Sequence, residues 1–595
     1  MTKISGSDAM FQVLYDWGID HIYGFPGGSF DSTMNAIHNW RDKIKFIEVR
    51  HEEAGALAAS AEYKISGKVG PGAVHLMNGL YDAKYDKTPM VAIVANVPTS
   101  RQDIDFFQAF DEKPWFDPVA VWNHQAKTAE SIPVLMDEAI RQAYQRKGPA
   151  VLILPKDFGW DKIEDNFRNN AAAHKVVPNF PAPRKEQVDK ALELIKNAEN
   201  PIVYFGHGAE DASAELKEFS DKFKMPLVSS VLGKGIVEDE FPAYMGSIGR
   251  VGAKPSNDIQ THADLVVWVG NNSPFSVFFF NPNAKVIQID INSERLGKRH
   301  TVTVPMLADA KKTLRALIEA GESRPESPLY KAALADRENW EAWLESFNDS
   351  DEIPMRVEPI FDVINKKAAD DAVFAVDVGN VNINFDRLMH LHGDQKWTTS
   401  GLYATMGYGA PASLAAATIY PNREVWNLAG DGGFAMMNQE LLTQARYNMH
   451  VINVVFTNET LGYIEAEQVD ESHQPLSGVK LPDNDWAMSA EGMNVKGFTV
   501  RNKREFEDAV TAAQQMEGPV LIDCKITHDM PYSTELNTLD DPAFVAKYDA
   551  QALKPFSYFA GKYGVEADAA SGASEHTEAE PVEAEEDASS GASRH

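Results

Sequence analysis

The chain is poor in cysteine, in basic charge and in long apolar runs. A single cysteine, Cys524, stands among 595 residues. It excludes an internal disulfide and any zinc or iron–sulfur site built on several thiolates, and it fits a reducing, cytoplasmic setting. No stretch approaches 18 uninterrupted apolar residues, so no transmembrane helix is expected. The N-terminus carries acids and lacks a basic start followed by an apolar block, so no signal peptide is expected. Fifty-six Lys and Arg face 87 Asp and Glu, for a net charge of −31. That surface repels polyanions, which argues against nucleic acid and anionic membranes as partners. It leaves room for a small anion held at a local metal or helix terminus.

What is present is ordinary globular text, 44% hydrophobic and 10% aromatic. Short apolar, β-rich runs alternate with helical ones. Strands are expected at Ile44–Val49, Met90–Val94, Ala150–Leu154, Pro201–Phe205, Leu265–Val269, Val286–Ile291, Val373–Val376, Val425–Leu428, Val451–Phe456 and Val520–Cys524. Continuous apolar runs mark strands covered on both faces, and their alternation with helices predicts α/β domains with doubly wound parallel sheets. Pro-rich text near Asn179 and the GESRPESP segment divide the chain into blocks 1–179, 180–328 and 329–563. Residues 564–595 hold nine acids, one Arg and almost no large apolar side chain, the composition of a disordered acidic tail.

The strongest chemical signal is Gly430-Asp431-Gly432-Gly433 at the end of an apolar run, with 25 residues between Gly432 and Asn458, which stands at the end of another. By itself the first motif reads equally as a glycine-rich turn with a capping Asp. With strand text before both ends, parallel neighbours place Asp431 and Asn458 at one carboxyl edge. There a carboxylate and an amide oxygen suit Mg²⁺, and the helix N-terminus behind the glycines suits a diphosphate. Phe434, Met437, Leu441, Leu442 and Ala445 are expected to mark one face of that helix.

In the middle block several strand ends carry Gly or Asx: Gly206 and Gly208, Gly246 to Arg250, Gly270-Asn271-Asn272, Asp290, and Asp309. Each alone is an ordinary turn. Together they form a candidate dinucleotide cleft, with Asp290 suited to a ribose or adenine contact.

The GDG-to-Asn spacing resembles the thiamine diphosphate motif. The wider text is similar to the flavin- and thiamine-dependent pyruvate oxidase family: YGFPGGS, VRHEEAGALAA, HLMNGLYDA, DFFQAF, GNNSPF, LGKRH, VDVGN, ATMGYG, NLAGDGG and VVFTN. The resemblance implies three α/β domains, which are a pyrimidine-binding, an FAD-binding and a diphosphate-binding domain, in a homotetramer with active sites between subunits. It implies thiamine diphosphate, Mg²⁺ and FAD as cofactors, with Asp431, Asn458 and the Thr460 carbonyl as metal ligands. Glu52 would meet the aminopyrimidine, and Met406 would wedge beneath the bent coenzyme. Phe107, Gln108, Val378, Tyr463 and Glu467 would border the substrate, with Tyr463 where the family usually has Phe. The implied reaction converts pyruvate, phosphate and O₂ to acetyl phosphate, CO₂ and H₂O₂, through hydroxyethyl-thiamine diphosphate and FAD. Competing readings are an acetolactate synthase-type carboligase with non-redox FAD, a quinone-linked oxidase, and a non-catalytic binding protein that keeps the fold.

One stretch departs from the family. Between the helix after Glu52 and Gly72, the text Ser66-Gly67-Lys68-Val69-Gly70-Pro71-Gly72 is about seven residues short of a strand and its turn. A strand needs about five or six residues. Loss of an inner strand is expected to open the core and to weaken either the domain or its grip on the coenzyme.

Overall fold

The computed structural model describes residues 2–66, 74–171, 180–249, 252–275, 280–468 and 475–528. The Lys68–Val69 stretch and the tail 564–595 lie outside them. All ten expected strands are present, with ends shifted by no more than a few residues.

In the first unit the strands are β1 (Lys3–Ser5), β2 (His21–Gly24), β3 (Lys45–Glu48), β4 (Met90–Asn96), β5 (Trp122–Gln125), β6 (Pro149–Pro155) and β7 (Lys162–Glu164). The middle unit holds β8 (Pro201–Phe205), β9 (Leu227–Ser229), β10 (Tyr244–Ser247), β11 (Leu265–Val269), β12 (Lys285–Asp290) and β13 (Val304–Leu307). The third holds β14 (Val373–Val376), β15 (Lys396–Thr398), β16 (Val425–Gly430), β17 (Val451–Thr457), β18 (Lys496–Val500) and β19 (Val520–Lys525).

The middle sheet runs β10-β9-β8-β11-β12-β13, all parallel, so the order reverses between β8 and β11. That reversal leaves a crevice at the strands' carboxyl ends. The third sheet runs β15-β14-β16-β17-β19-β18, again all parallel. The first unit is in pieces: a parallel pair β2-β3, a parallel trio β4-β6-β5, and a short antiparallel pair β1-β7 that an all-parallel expectation did not include. Set beside the third sheet, β3-β2 matches β15-β14 and β4-β6-β5 matches β17-β19-β18. Among the described residues no strand occupies the place that β16 holds. In that place lies an open cleft, lined by Ile22, Tyr23 and Gly24 of β2, by Ile93 and Ala95 of β4, and by Phe11, Phe30, Phe46 and Glu52.

The first and third units share one core. Ala56, Ala59 and Leu57 of the helix Glu52–Ser66 lie in the same buried cluster as Ala412, Ala415 and Ala416 of the helix Gly409–Ile419. Small side chains let the two helices approach closely and bury both faces without large residues. Beside the seam, Lys64 Nζ is buried and lies 2.9 Å from Asp82 and 2.7 Å from Asp86. The expected boundary at residue 328 falls at the start of the helix Pro328–Glu345, whose Leu329 and Ala333 still pack on the middle sheet while Trp340 and Trp343 reach Leu388.

Candidate active site

The site grows from the register of β16 and β17. Gly430 pairs with Phe456, so the chain leaves both strands at one edge. Asp431 opens the helix Asp431–Met437 there, buried. Its Oδ1 accepts the Gly432 N–H at 2.9 Å and its Oδ2 the Glu459 N–H at 2.8 Å. Burial nevertheless raises its pKa to about 6, with Asp523 adding like charge. Asn458 Oδ1 accepts the Thr460 N–H at 3.3 Å, and the Thr460 hydroxyl donates to Glu465 at 2.6 Å. A carboxylate, an amide oxygen and a main-chain carbonyl on two adjoining loops are hard oxygen donors, a set that fits Mg²⁺.

The glycines are required by crowding. A Cβ on Gly432 would stand 2.6 Å from Leu461 Cδ2 and 3.4 Å from Met406 Cε, and one on Gly433 would stand 2.9 Å from Asp377 Oδ1. Asp377 is the joint between three motifs and was missed from sequence. Its Oδ1 accepts N–H groups from Val378 at 2.7 Å and Gly407 at 2.9 Å, and its Oδ2 accepts from Gly409 at 3.2 Å. Burial still lifts its pKa to about 6. An acid directly after the apolar strand VFAV and just before Gly379 was the available signal. Val378 and Met406 are thus placed by one carboxylate.

The helix after GDGG is not the continuous face expected. It stops at Met437, passes through a 3₁₀ turn at Asn438–Glu440 and restarts at Leu441, leaving Leu442 exposed. The turn carries Glu440 inward, where its carboxylate accepts the Arg50 N–H at 2.9 Å and the Thr443 hydroxyl at 2.7 Å. Burial raises its pKa to about 7. Glu440 therefore docks the residues just before Glu52 onto the third unit. In sequence it looks like any polar helix position.

Glu52 begins the helix Glu52–Ser66, half-buried, with Oε2 2.7 Å from His75 Nδ1. Glu53 instead accepts from Asn78, whose amide also reaches Thr405 Oγ1 at 2.7 Å, tying the segment beside Met406 to the first unit. Tyr463 lies in the helix Gly462–Ala466 and Glu467 just beyond it, both half-buried. This helix starts beside Asn458: a Cβ on Gly462 would be 3.4 Å from Asn458 Nδ2. Phe107 and Gln108 sit on the first unit, on a loop where Gln108 has φ +59° and Phe107 is 76% exposed.

In the middle unit the crevice between β8 and β11 is made by close backbone approach. Gly208 N–H donates to Gly270 O at 2.9 Å, and a Cβ on Gly206 would meet Asn271 Cβ at 2.9 Å. Asn271 is spent on the fold, donating to Phe205 O and accepting from Ser273 N. The buried Oδ1 of Asn272 has no hydrogen-bond partner. Asp290, buried at the end of β12, accepts the Asn292 N–H at 2.8 Å, and burial holds its pKa above the usual range. Asp309 caps the helix Ala310–Ala320 through the Lys312 N–H. Arg250 lies outside the described residues. Narrow glycine contacts plus an orphaned amide oxygen fit a dinucleotide laid across the crevice.

Comparison with known proteins agrees with this layout. The thiamine pyrophosphate enzyme N-terminal TPP binding domain matches residues 4–115, the central domain 188–317 and the C-terminal TPP binding domain 377–524. Pyruvate oxidase of Lactiplantibacillus plantarum is 41% identical over 95% of this chain and 97% of its own. A putative thiamine pyrophosphate-containing protein of Bacillus subtilis is 35% identical over 89% and 93% of the two chains. A probable acetolactate synthase large subunit of Methanococcus aeolicus is 29% identical over 88% and 92%. With all three domains matched in order and such a relative covering nearly its whole length, the chain belongs to the thiamine pyrophosphate enzyme family.

Proposed function

We propose that this protein is a cytoplasmic pyruvate oxidase that uses thiamine diphosphate, Mg²⁺ and FAD and converts pyruvate, phosphate and O₂ to acetyl phosphate, CO₂ and H₂O₂. The observation that carries the reading is the presence in one chain of the Asp431–Asn458 edge and the β8/β11 glycine crevice. The pyruvate oxidase relative supports the substrate. No helix among the described residues is long and apolar enough to cross a membrane, which gives a membrane-quinone partner no spanning anchor there.

When bound, thiamine diphosphate supplies the nucleophilic carbon and electron sink for decarboxylation, and FAD supplies the two-electron acceptor. The residues then divide the remaining work. Asp431, Asn458 and the Thr460 carbonyl would hold Mg²⁺, and the glycine turn Gly430–Gly433 at the helix N-terminus would receive the diphosphate. Glu52 would hydrogen-bond the ring nitrogen of the aminopyrimidine, holding a proton there. Met406, held by Asp377 through Gly407, sets the coenzyme's bend. Val378, Tyr463, Glu467, Phe107 and Gln108 enclose pyruvate, and positioning them lowers the entropic part of the barrier. Gly206, Gly208, Gly270, Asn272, Asp290, Asp309 and Arg250 receive FAD.

The assembly is a homotetramer in which one chain's Glu52 meets the Asp431 edge of another. Ile104, Phe107, Phe110 and Trp115 are large apolar side chains exposed on one stretch of the first unit, the kind of residue that a partner subunit covers. The test is spectroscopic. Anaerobic pyruvate should bleach the flavin, and peroxide should then form in air with acetyl phosphate only when phosphate is present. Glu52→Gln should lose both. A flavin that stays yellow while acetolactate accumulates would establish the carboligase instead.

A further inference from the structure

His51, Glu52 and His75 meet where the helix Glu52–Ser66 begins. His75 Nδ1 is 2.7 Å from Glu52 Oε2. The His51 and His75 rings stack with centroids 4.7 Å apart and planes 22° apart. One ligand-capable atom from each of the three lies within 4.8 Å of the other two. His51 Nδ1 is buried without a hydrogen-bond partner, and Glu53 stands 3.9 Å from it, adding negative charge. The side chains of His51 and His75 are 39% and 62% exposed, so the cluster is open to solutes.

Two imidazole nitrogens and one carboxylate oxygen form the donor set of first-row transition ions such as Zn²⁺. Mg²⁺ and Ca²⁺ prefer oxygen alone. Ligand distances near 2.1 Å need donor atoms roughly 3.4 Å apart. His75 Nδ1 and Glu52 Oε2 are already closer than that, and the stacked His51 and His75 rings have to turn so that their in-plane lone pairs, now side by side, converge on one ion. The chain's net charge of −31 raises the local concentration of cations.

We propose that His51, Glu52 and His75 form a site for a divalent transition ion of the zinc class, separate from the Mg²⁺ edge at Asp431, and that an ion bound there keeps the coenzyme's aminopyrimidine off Glu52. The second half rests on the role proposed for Glu52. The first half does not. The ion would act as an inhibitor that competes with the coenzyme.

The test uses the full chain, stripped of coenzyme and metals, titrated with Co²⁺ alone. One equivalent should give visible d–d absorption that Zn²⁺ abolishes, and His75→Gln and His51→Gln should each weaken binding at least about tenfold. Circular dichroism of both variants checks that they fold. Thiamine diphosphate affinity in Mg²⁺, read by tryptophan fluorescence, should fall in proportion to Zn²⁺ occupancy in the unaltered chain and hold steady in His75→Gln. No cobalt band, or one unchanged in both variants, overturns the metal site and leaves the role of Glu52 untouched. A normal cobalt site with coenzyme affinity indifferent to Zn²⁺ overturns the exclusion and, with it, the placing of Glu52 on the aminopyrimidine.

Discussion

The first and third units follow one strand order, and they differ at one position. In the third, β16 lies between β14 and β17, pairs with both, and delivers Gly430 and Asp431 to the site. In the first, among the described residues, β2 pairs only with β3 and β4 only with β6, and a cleft stands between them. A central strand therefore does two separable things. It carries chemistry at its carboxyl end, and it satisfies the backbone of two neighbours. The first unit keeps its own site residue, Glu52, because that residue follows β3 and is braced from outside, by Glu440 through Arg50 and by the alanine seam with the third unit. Its integrity is borrowed from its neighbour, whereas the third sheet is held along its whole width by its own ladder.

The comparison can be broken by giving the first unit what it lacks. A six-residue apolar strand inserted between Val69 and Gly70 should fill the cleft, pair β2 with β4 and stabilise the unit by about 5 kcal/mol. That amounts to roughly 10–20 °C in melting temperature for a unit of this size. Thiamine diphosphate should also bind more tightly. Equal melting and binding in calorimetry would mean that the gap costs nothing.

The converse change loosens the third unit. Asp377→Ala leaves the N–H groups of Val378, Gly407 and Gly409 without their acceptor and should cost about 3 kcal/mol in urea unfolding. A loss under 1 kcal/mol would deny Asp377 its role as the joint.

A third experiment probes the brace itself through pH. The Glu440 carboxyl has a pKa near 7 when folded, above its unfolded value. The folded chain therefore holds that proton more firmly, and stability conferred by the neutral acid is present below the unfolded pKa and lost as pH rises toward 7. Relative to the unaltered chain, Glu440→Gln should gain about 3 kcal/mol between pH 4.5 and pH 8. Parallel stability curves for the two proteins would exclude the effect.

The smallest change is Asn78→Ala, which cuts the link from Glu53 to Thr405 across the two units. It should cost about 1 kcal/mol in thermal unfolding, with a modest loss of coenzyme affinity.

Much of this architecture is legible in the text. Strands buried on both faces must be continuous apolar runs, so most of the ten expected strands announced themselves, while β3 is only partly buried. GDGG and Asn458 were legible because a close backbone turn and an oxygen ligand demand particular residue types at the ends of such runs. Glu440 and Asp377 were harder. A buried carboxylate that receives backbone N–H groups looks in sequence like any acid on a helix face or in a turn. The unbroken helix expected after GDGG failed for a related reason. A periodic apolar pattern cannot reveal that a 3₁₀ turn rotates its second half and leaves Leu442 in solvent.

From residue order alone came the α/β class and the chemistry at the GDGG and Asn458 strand ends, since local pattern is a one-dimensional property; the shortage of text before Gly72 came from the family resemblance. Folding in three dimensions decided which strands became neighbours, which acids lost their water and where a cleft opens between β2 and β4, because pairing and desolvation depend on segments that are distant in sequence and meet only when the sheets assemble.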